Sequence, residues 1–403
     1  MSKCPSCFTL LNPDSCLLYC ENDSHEPTAF WINNPAPGTY WTPSDFEKSC
    51  PNCNLSNANE LCPKCNNDIP TGWRNVIATY VAIAGARTTG KSVYIGVLIK
   101  ELQKYFRDNV KQTVSPGNSA TSTKYEDEYE NALYVQRNLI DATKRGLLQE
   151  SMVWDLGVIN GFPHALVIRD VAGEALESGD VNDENLGHLA NADTVLFMFD
   201  PMRVESVRAK LFGQIPTGAV GGDPEKVFQF VLNIIRNAEP PVHPNIGIVL
   251  SKFDVMQKFK NSDTSSLKRM FSDPRAAFSR DPKPGTYLYS SPNGAVQPGN
   301  DADLRLLSEE IRTVLLKHDA NGIINPLESS NSSNFQHRFF AVSAMGDIPD
   351  GGSVSPRGIT PFRVLDPIMW AFNTTWPDLT QVTISQNQNS QQQDTKHKLF
   401  GRK

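Results

Sequence analysis

The run Gly85-Ala86-Arg87-Thr88-Thr89-Gly90-Lys91-Ser92 sets a lysine and a hydroxyl residue directly after the second of two spaced glycines. That pattern suits a loop whose backbone N–H groups, with the N-terminus of a following helix, wrap a β-phosphate. Lys91 would reach the β- and γ-oxygens and Ser92 would ligate Mg²⁺. Glycine is needed where the backbone must come so close to the phosphates. Thr88, Thr89 and Val93 join Gly85, Gly90, Lys91 and Ser92 as expected phosphate-binding positions. The flanks agree: residues 78–84 form an apolar run of strand character, and 93–106 repeat apolar positions at helical spacing.

Further motifs follow at expected strand ends. Residues 151–159 and 164–170 read as strands joined through Asn160-Gly161, a dipeptide that favours a tight antiparallel hairpin. The second strand ends in Asp170-Val171-Ala172-Gly173-Glu174. The apolar run 247–250 leads into Ser251-Lys252-Phe253-Asp254, and 339–342 leads into Ser343-Ala344-Met345-Gly346. In this order the segments resemble the D-x-x-G, N/T-K-x-D and S-A-x motifs of Ras-like and translation-factor-like GTPases. The resemblance implies GTP or GDP with Mg²⁺, held by Asp170 through water, and a γ-phosphate sensed by the Gly173 N–H. It also implies that Asp254 accepts hydrogen bonds from guanine N1–H and N2–H₂, that the Lys252 stem covers the ring, and that the Ser343-Ala344 backbone supports guanine O6. Ser251 departs from the family: it keeps a hydroxyl but lacks the amide that often ties this loop to the phosphate loop.

Glu174 stands where many such GTPases place a water-orienting glutamine. A carboxylate accepts from water but cannot donate, and it repels the γ-phosphate, so slow unassisted hydrolysis is expected. Arg87 is weighed as an internal cation over the γ-phosphate, against a solvated loop residue. The catalytic expectation is therefore Lys91, Glu174 and Arg87. Thr113, Thr121, Thr123, Thr143 and Ser151 all qualify as the threonine or serine that completes the Mg²⁺ shell, which stays unassigned.

All eight cysteines lie in the first 65 residues, as the pairs Cys4/Cys7, Cys16/Cys20, Cys50/Cys53 and Cys62/Cys65. In a reducing compartment, paired close spacings predict tetrahedral Zn²⁺. Sequential pairing predicts two Cys4 sites, Cys4, Cys7, Cys16 and Cys20 on one and Cys50, Cys53, Cys62 and Cys65 on the other. An interleaved set joining Cys4 and Cys7 to Cys62 and Cys65 stays open, as does His25 as a substitute ligand. Asn54 and Asn66 follow their pairs where a left-handed residue is wanted. With every cysteine used, the zinc is structural, and metal binding supplies much of the folding free energy of so short a segment. Phe30, Trp31, Tyr40 and Trp41 are expected to pack over the sites, with a contact surface as the alternative.

Positioning these groups requires an α/β domain with a largely parallel sheet and the nucleotide at the carboxyl ends of its strands. Strands are expected at 77–84, 152–159, 164–170, 194–199, 246–250 and 337–342, and an amphipathic helix at 301–317. The predicted class is a Ras-like P-loop GTPase domain with one antiparallel strand, preceded by a zinc module. The expected division is 1–70 for the zinc module, 74–376 for the nucleotide domain with insertions at 111–149 and 272–300, and 381–403 for a disordered tail. The first insertion is expected to hold a charged helix over 125–145.

A net charge of −6 and a pI near 5.7 argue against a broad nucleic-acid surface. The first residues lack a signal-peptide core, and no uncharged apolar run is long enough to span a bilayer, which predicts a cytoplasmic protein. Together with the zinc module, segments 187–201 and 361–370 resemble the bacterial double-GTPase family. That resemblance implies a conflict or defence setting; the leading expectation is a GTP-hydrolysing switch that regulates a protein partner through the zinc module or the insertions. The alternatives are a non-hydrolysing GTP-binding scaffold and a zinc-dependent nucleic-acid binder with a regulatory nucleotide domain.

Overall fold

The computed structural model describes residues 2–39, 41–43, 47–56, 58–140, 150–179, 186–210, 222–239, 243–261, 265–329, 335–347 and 353–376. Tyr40, Thr143 and the tail beyond residue 376 lie outside them. At the N-terminus, β1 (Ser15–Asn22), β2 (His25–Asn33), β3 (Asn59–Leu61) and β4 (Asp68–Ile69) form an antiparallel sheet in the order β2-β1-β3-β4.

The main domain begins with β5 (Ile77–Ala84) and α1 (Lys91–Tyr105), then β6 (Ser115–Pro116) and α2 (Ser119–Tyr125). β7 (Met152–Ile159), β8 (Phe162–Asp170), α3 (Gly173–Ser178), α4 (His188–Asn191) and β9 (Thr194–Phe199) follow. Next come α5 (Glu205–Lys210), α6 (Pro224–Arg236), β10 (Asn245–Leu250), α7 (Phe253–Gln257) and α8 (Ser265–Phe271). A short β11 (Tyr289–Ser290) and β12 (Val296–Gln297) precede α9 (Ala302–Lys317), α10 (Asn321–Glu328), β13 (His337–Ala341) and α11 (Asp366–Thr375).

The strands pair as β13-β10-β9-β5-β8-β7-β6, and β7 alone runs against the rest. This is a Ras-like P-loop fold. Every residue of β9 is buried, and β10 is buried after its first residue, as befits parallel strands covered on both faces. The β7–β8 hairpin turns through Asn160 (φ 52°) and Gly161 (φ 88°), both left-handed, which is the backbone a two-residue turn of matching twist needs.

Two expectations shift. The insertion helix starts at Ser119, because the Asn118 side chain accepts the Thr121 N–H and caps it. It continues with wider π-type turns and ends at Val135, well short of 145. The zinc module does not stand apart: Cys4, Phe8, Leu11, Cys62 and Ile69 belong to the same buried cluster as the main sheet. Phe8 packs edge-on against Tyr80 and His188, with centroids 5.1 and 5.7 Å away. A second, separate cluster contains Cys16, Leu18, Cys20, Cys50 and Ala58.

Candidate nucleotide and metal sites

The phosphate loop leaves β5 at Gly85, whose φ of 147° brings its Cα against β9. A Cβ there would stand 2.5 Å from the Met198 carbonyl oxygen. Lys91 is buried and folds back over the loop, donating to the carbonyls of Gly85 (2.8 Å) and Ala86 (2.9 Å). Burial pulls its ammonium below the usual lysine range, while the negative fields of Asp170 and Glu177 act the other way. Thr89 is buried and its hydroxyl donates to the Ala86 carbonyl (2.9 Å). Gly90, at φ 86°, caps α1, and Val93 lies in its first turn.

The Ser92 hydroxyl stands 3.4 Å from Asp170 Oδ2 at the end of β8, an oxygen pair that fits Mg²⁺ held by the serine directly and the aspartate through water. Gly173 packs on the loop itself: a Cβ there would come within 2.6 Å of the Arg87 nitrogen. Arg87 is half exposed and forms two ion pairs, Nη1 with Glu174 (3.2 Å) and Nε with Glu177 (3.1 Å). As observed, Arg87 and Glu174 hold each other, which ties the loop to α3.

On the base side, Lys252 takes the left-handed backbone (φ 51°) that starts α7, and its ammonium pairs with Asp200 at 2.7 Å. Asp254 is reached by the Ser343 hydroxyl at 2.6 Å, and the same hydroxyl accepts the Gly346 N–H at 2.9 Å. Burial raises the Asp254 carboxyl above its usual range, with the Ser343 hydrogen bond opposing. Ser251 is buried and donates to the Phe199 carbonyl (3.3 Å), so its hydroxyl ties β10 to β9. Ser343 is buried and exchanges backbone hydrogen bonds with Phe362, with Ala344 beside it.

Asp200 and Arg203 were not singled out from sequence. The Asp200 side chain accepts the Met202 N–H (2.9 Å) and fixes the turn after β9. From that turn Arg203 donates to the Arg87 carbonyl (3.0 Å) and the Thr88 hydroxyl (2.7 Å). Its other terminal nitrogen is buried and has no hydrogen-bond partner among the described residues. A charged residue soon after a buried strand was the only hint available.

The cysteines are interleaved. Cys4, Cys7, Cys62 and Cys65 form one group, and Cys20, His25, Cys50 and Cys53 the other, each with its ligand atoms within 4.8 Å of one another. Sequential pairing is thereby corrected: His25 is a member of the second group, and Cys16 is not. Thiolates on tetrahedral Zn²⁺ with Zn–S of about 2.3 Å stand about 3.8 Å apart. The Cys4–Cys65, Cys7–Cys62 and Cys20–Cys53 sulfurs are 3.7, 3.6 and 3.9 Å apart, so the donors fit zinc. His25 Nδ1 is 2.6 Å from the Glu26 carbonyl, which turns Nε2 toward the Cys20 and Cys50 thiols at 3.8 and 3.4 Å.

The reason for the swap is pleating. On β1, Cys16, Leu18 and Cys20 share one face, but the hairpin turn after Cys20 brings only that cysteine beside His25. Cys16 instead packs among apolar side chains, and burial pushes its thiol up to about 12. Asn54 and Asn66 are left-handed (φ 59° and 56°), and so is Phe8 (φ 64°) after the Cys4/Cys7 pair. Phe30 and Trp41 pack on the second cluster, whereas Trp31 is 55% exposed and does not.

Metal analysis of purified protein should find two zinc ions per chain, both kept by Cys16→Ser and one lost by Cys50→Ser. Loss of an ion from the Cys16 variant would return that residue to the ligand set.

A strand, glycine-bounded loop and helix in this order, at the centre of a mostly parallel sheet, define the P-loop fold class. Within it, the chain belongs to the family of a Mycolicibacterium smegmatis protein described as "Putative ESX-1 scaffolding and assembly protein SaeC". The two are 36% identical over 393 residues, covering 92% of this chain and 98% of the relative. No family model matches the chain.

Among solved structures, the Saccharomyces cerevisiae Ski7 GTPase-like domain is similar in two states. These are bound to GTP (12% identity, TM-score 0.29, 70% of this chain) and to GDP with inorganic phosphate (10%, 0.29, 69%). The chain spans about half the length of those structures, 48% and 47%, and likeness at that TM-score carries no argument. The conflict or defence setting implied by the double-GTPase resemblance finds no support, since the relative's description concerns ESX-1 scaffolding and assembly. Among the described residues, no helix is long and apolar enough to cross a membrane.

Proposed function

We propose that the chain is a GTP-binding, slowly hydrolysing switch that acts within a protein assembly, in keeping with the scaffolding and assembly role its SaeC relative is described by. The observation that carries this reading is the convergence of Lys91, Ser92, Asp170 and Gly173 on one loop, with the Asp254–Ser343 pair at a neighbouring strand end. In it, the loop amides and Lys91 hold the polyphosphate, Ser92 and Asp170 hold Mg²⁺, and Asp254 selects guanine.

The partner-facing surface is placed on the zinc module and the insertions. The module's Ser6 carbonyl accepts from Ser151 (3.1 Å), before β7, and from Arg169 (2.7 Å), beside Asp170. A change at the Mg²⁺ site would reach the module through those bonds.

Phosphate release from GTP by the zinc-loaded chain, with Lys91→Ala as control, tests the reading. Turnover that the substitution abolishes supports it. A second reading, a GTP-binding scaffold without hydrolysis, is favoured by the Arg87–Glu174 ion pair, which occupies the residue expected to orient water. Tight GTP binding with no phosphate release would select that reading.

A further inference from the structure

We propose that Glu177 discriminates between guanosine di- and triphosphate, because its carboxylate is seated on a phosphate-loop amide and must be displaced when a γ-phosphate arrives. This rests on the GTP reading given above.

Loop amides are the groups such a fold directs at anions. One of them, the Arg87 N–H, donates to Glu177 Oε1 at 2.8 Å. The Gly222 N–H donates to the same oxygen at 3.1 Å, and Arg87 Nε pairs with the other oxygen. The Glu177 side chain is 16% exposed. An anion with two amides and a guanidinium around it is thus already part of the loop.

Its position follows from the helix that carries it. Gly173 sits against the Arg87 backbone, and Glu177 lies four residues on, about one helical turn, so its side chain rises on the same side of α3 toward the loop. Its field reaches Lys91 together with that of Asp170, and the two partly offset the effect of burial on the ammonium.

A γ-phosphate would bring like charge to these donors, and two anions cannot share them without a large electrostatic cost. Gly173, whose N–H is expected to meet the γ-phosphate, stands against the Arg87 nitrogen. The Arg87 amide therefore lies on the γ side of the loop, apart from the amides that wrap the β-phosphate. GDP ends one phosphate short and leaves Glu177 in place. With GTP bound, Glu177 leaves, and its bond to Gly222, just before α6, breaks with it. The nucleotide would then be reported to α6 as well as to α3.

The test compares wild type and Glu177→Gln as full-length, zinc-loaded chains with Mg²⁺, titrating fluorescent GDP and a fluorescent non-hydrolysable GTP analogue. Glutamine keeps the shape and an acceptor but removes the charge. The triphosphate should bind about tenfold more tightly or better, with GDP affinity changed less than about twofold. Equal tightening of both ligands, or no change in either, overturns the proposal. If the glutamine variant loses GDP binding, Glu177→Ala measured the same way decides by the same criterion. Wild type that binds neither ligand removes the GTP reading, and this proposal with it. Wild type that binds both while the ratio stays fixed in the variants sinks only this proposal.

Discussion

An Asp254→Asn variant should lose GTP binding by at least about a hundredfold and gain affinity for xanthosine triphosphate. The expected size follows from two hydrogen bonds to a charged acceptor, each worth about 1.5–3 kcal/mol. Asparagine offers one acceptor and one amide donor in their place, which matches the xanthine N1–H and C2 carbonyl. The Ser343 hydroxyl already holds Asp254 Oδ1, so the variant side chain should keep its orientation.

Competition between GTP and xanthosine triphosphate for one fluorescent ligand measures the exchange. Retained guanine preference would remove Asp254 from base recognition. Wild-type affinity carries a second signature. Burial raises the Asp254 carboxyl in the free protein, and guanine needs it ionised. GTP binding should therefore weaken on acidification, in a window opening above the ordinary aspartate value of about 3.9.

Arg363→Ala should cost about 3–5 kcal/mol of stability, because it leaves the buried Asp366 carboxylate without a cation and takes from Asp303 one of its two. Arg363 is left-handed (φ 51°) and its side chain is fully enclosed. Nη1 meets Asp366 at 2.7 Å, Nη2 meets Asp303 at 2.8 Å, and Nε is 3.0 Å from the carbonyls of both Ala277 and Arg280. Arg280 also pairs with Asp303, and the Tyr287 hydroxyl donates to Asp366. One guanidinium therefore joins the second insertion to α9 and α11.

Phe362, next to it, exchanges backbone hydrogen bonds with Ser343, so guanine affinity should fall along with stability. Burial already raises the Asp366 carboxyl, and without Arg363 its protonated form gains further. The variant's deficit should accordingly shrink as pH is lowered toward that group's raised range. Urea unfolding at two pH values checks both points, and a loss under about 1 kcal/mol would show that the network contributes little.

Much of this was legible beforehand because the chemistry is local. Gly85 to Ser92 mark the loop between β5 and α1 by spacing alone, and Asn160-Gly161 marks its hairpin. Strand limits fell within two residues wherever a buried apolar run met a turn residue. What escaped depended on distant partners. The ligand exchange between Cys16 and His25 is decided by which β1 side chain the hairpin turn brings beside the Cys50/Cys53 knuckle, and spacing carries no record of that. Glu177 and Arg203 reach the loop from α3 and from the turn after β9. Their types alone read as ordinary surface charge. The helix expected over 125–145 differs at both ends: the Asn118 cap sets its start at Ser119, and it stops at Val135.

Phe8 has a practical consequence for anyone dividing this chain into pieces. A fragment beginning near residue 74 would not be a clean α/β core. It would display the hollow over Tyr80 and His188 that the first knuckle now fills, and so be prone to stick to other proteins. Point changes at the metal ligands, read alongside the intact polypeptide, are the sounder way to find what the N-terminal segment touches.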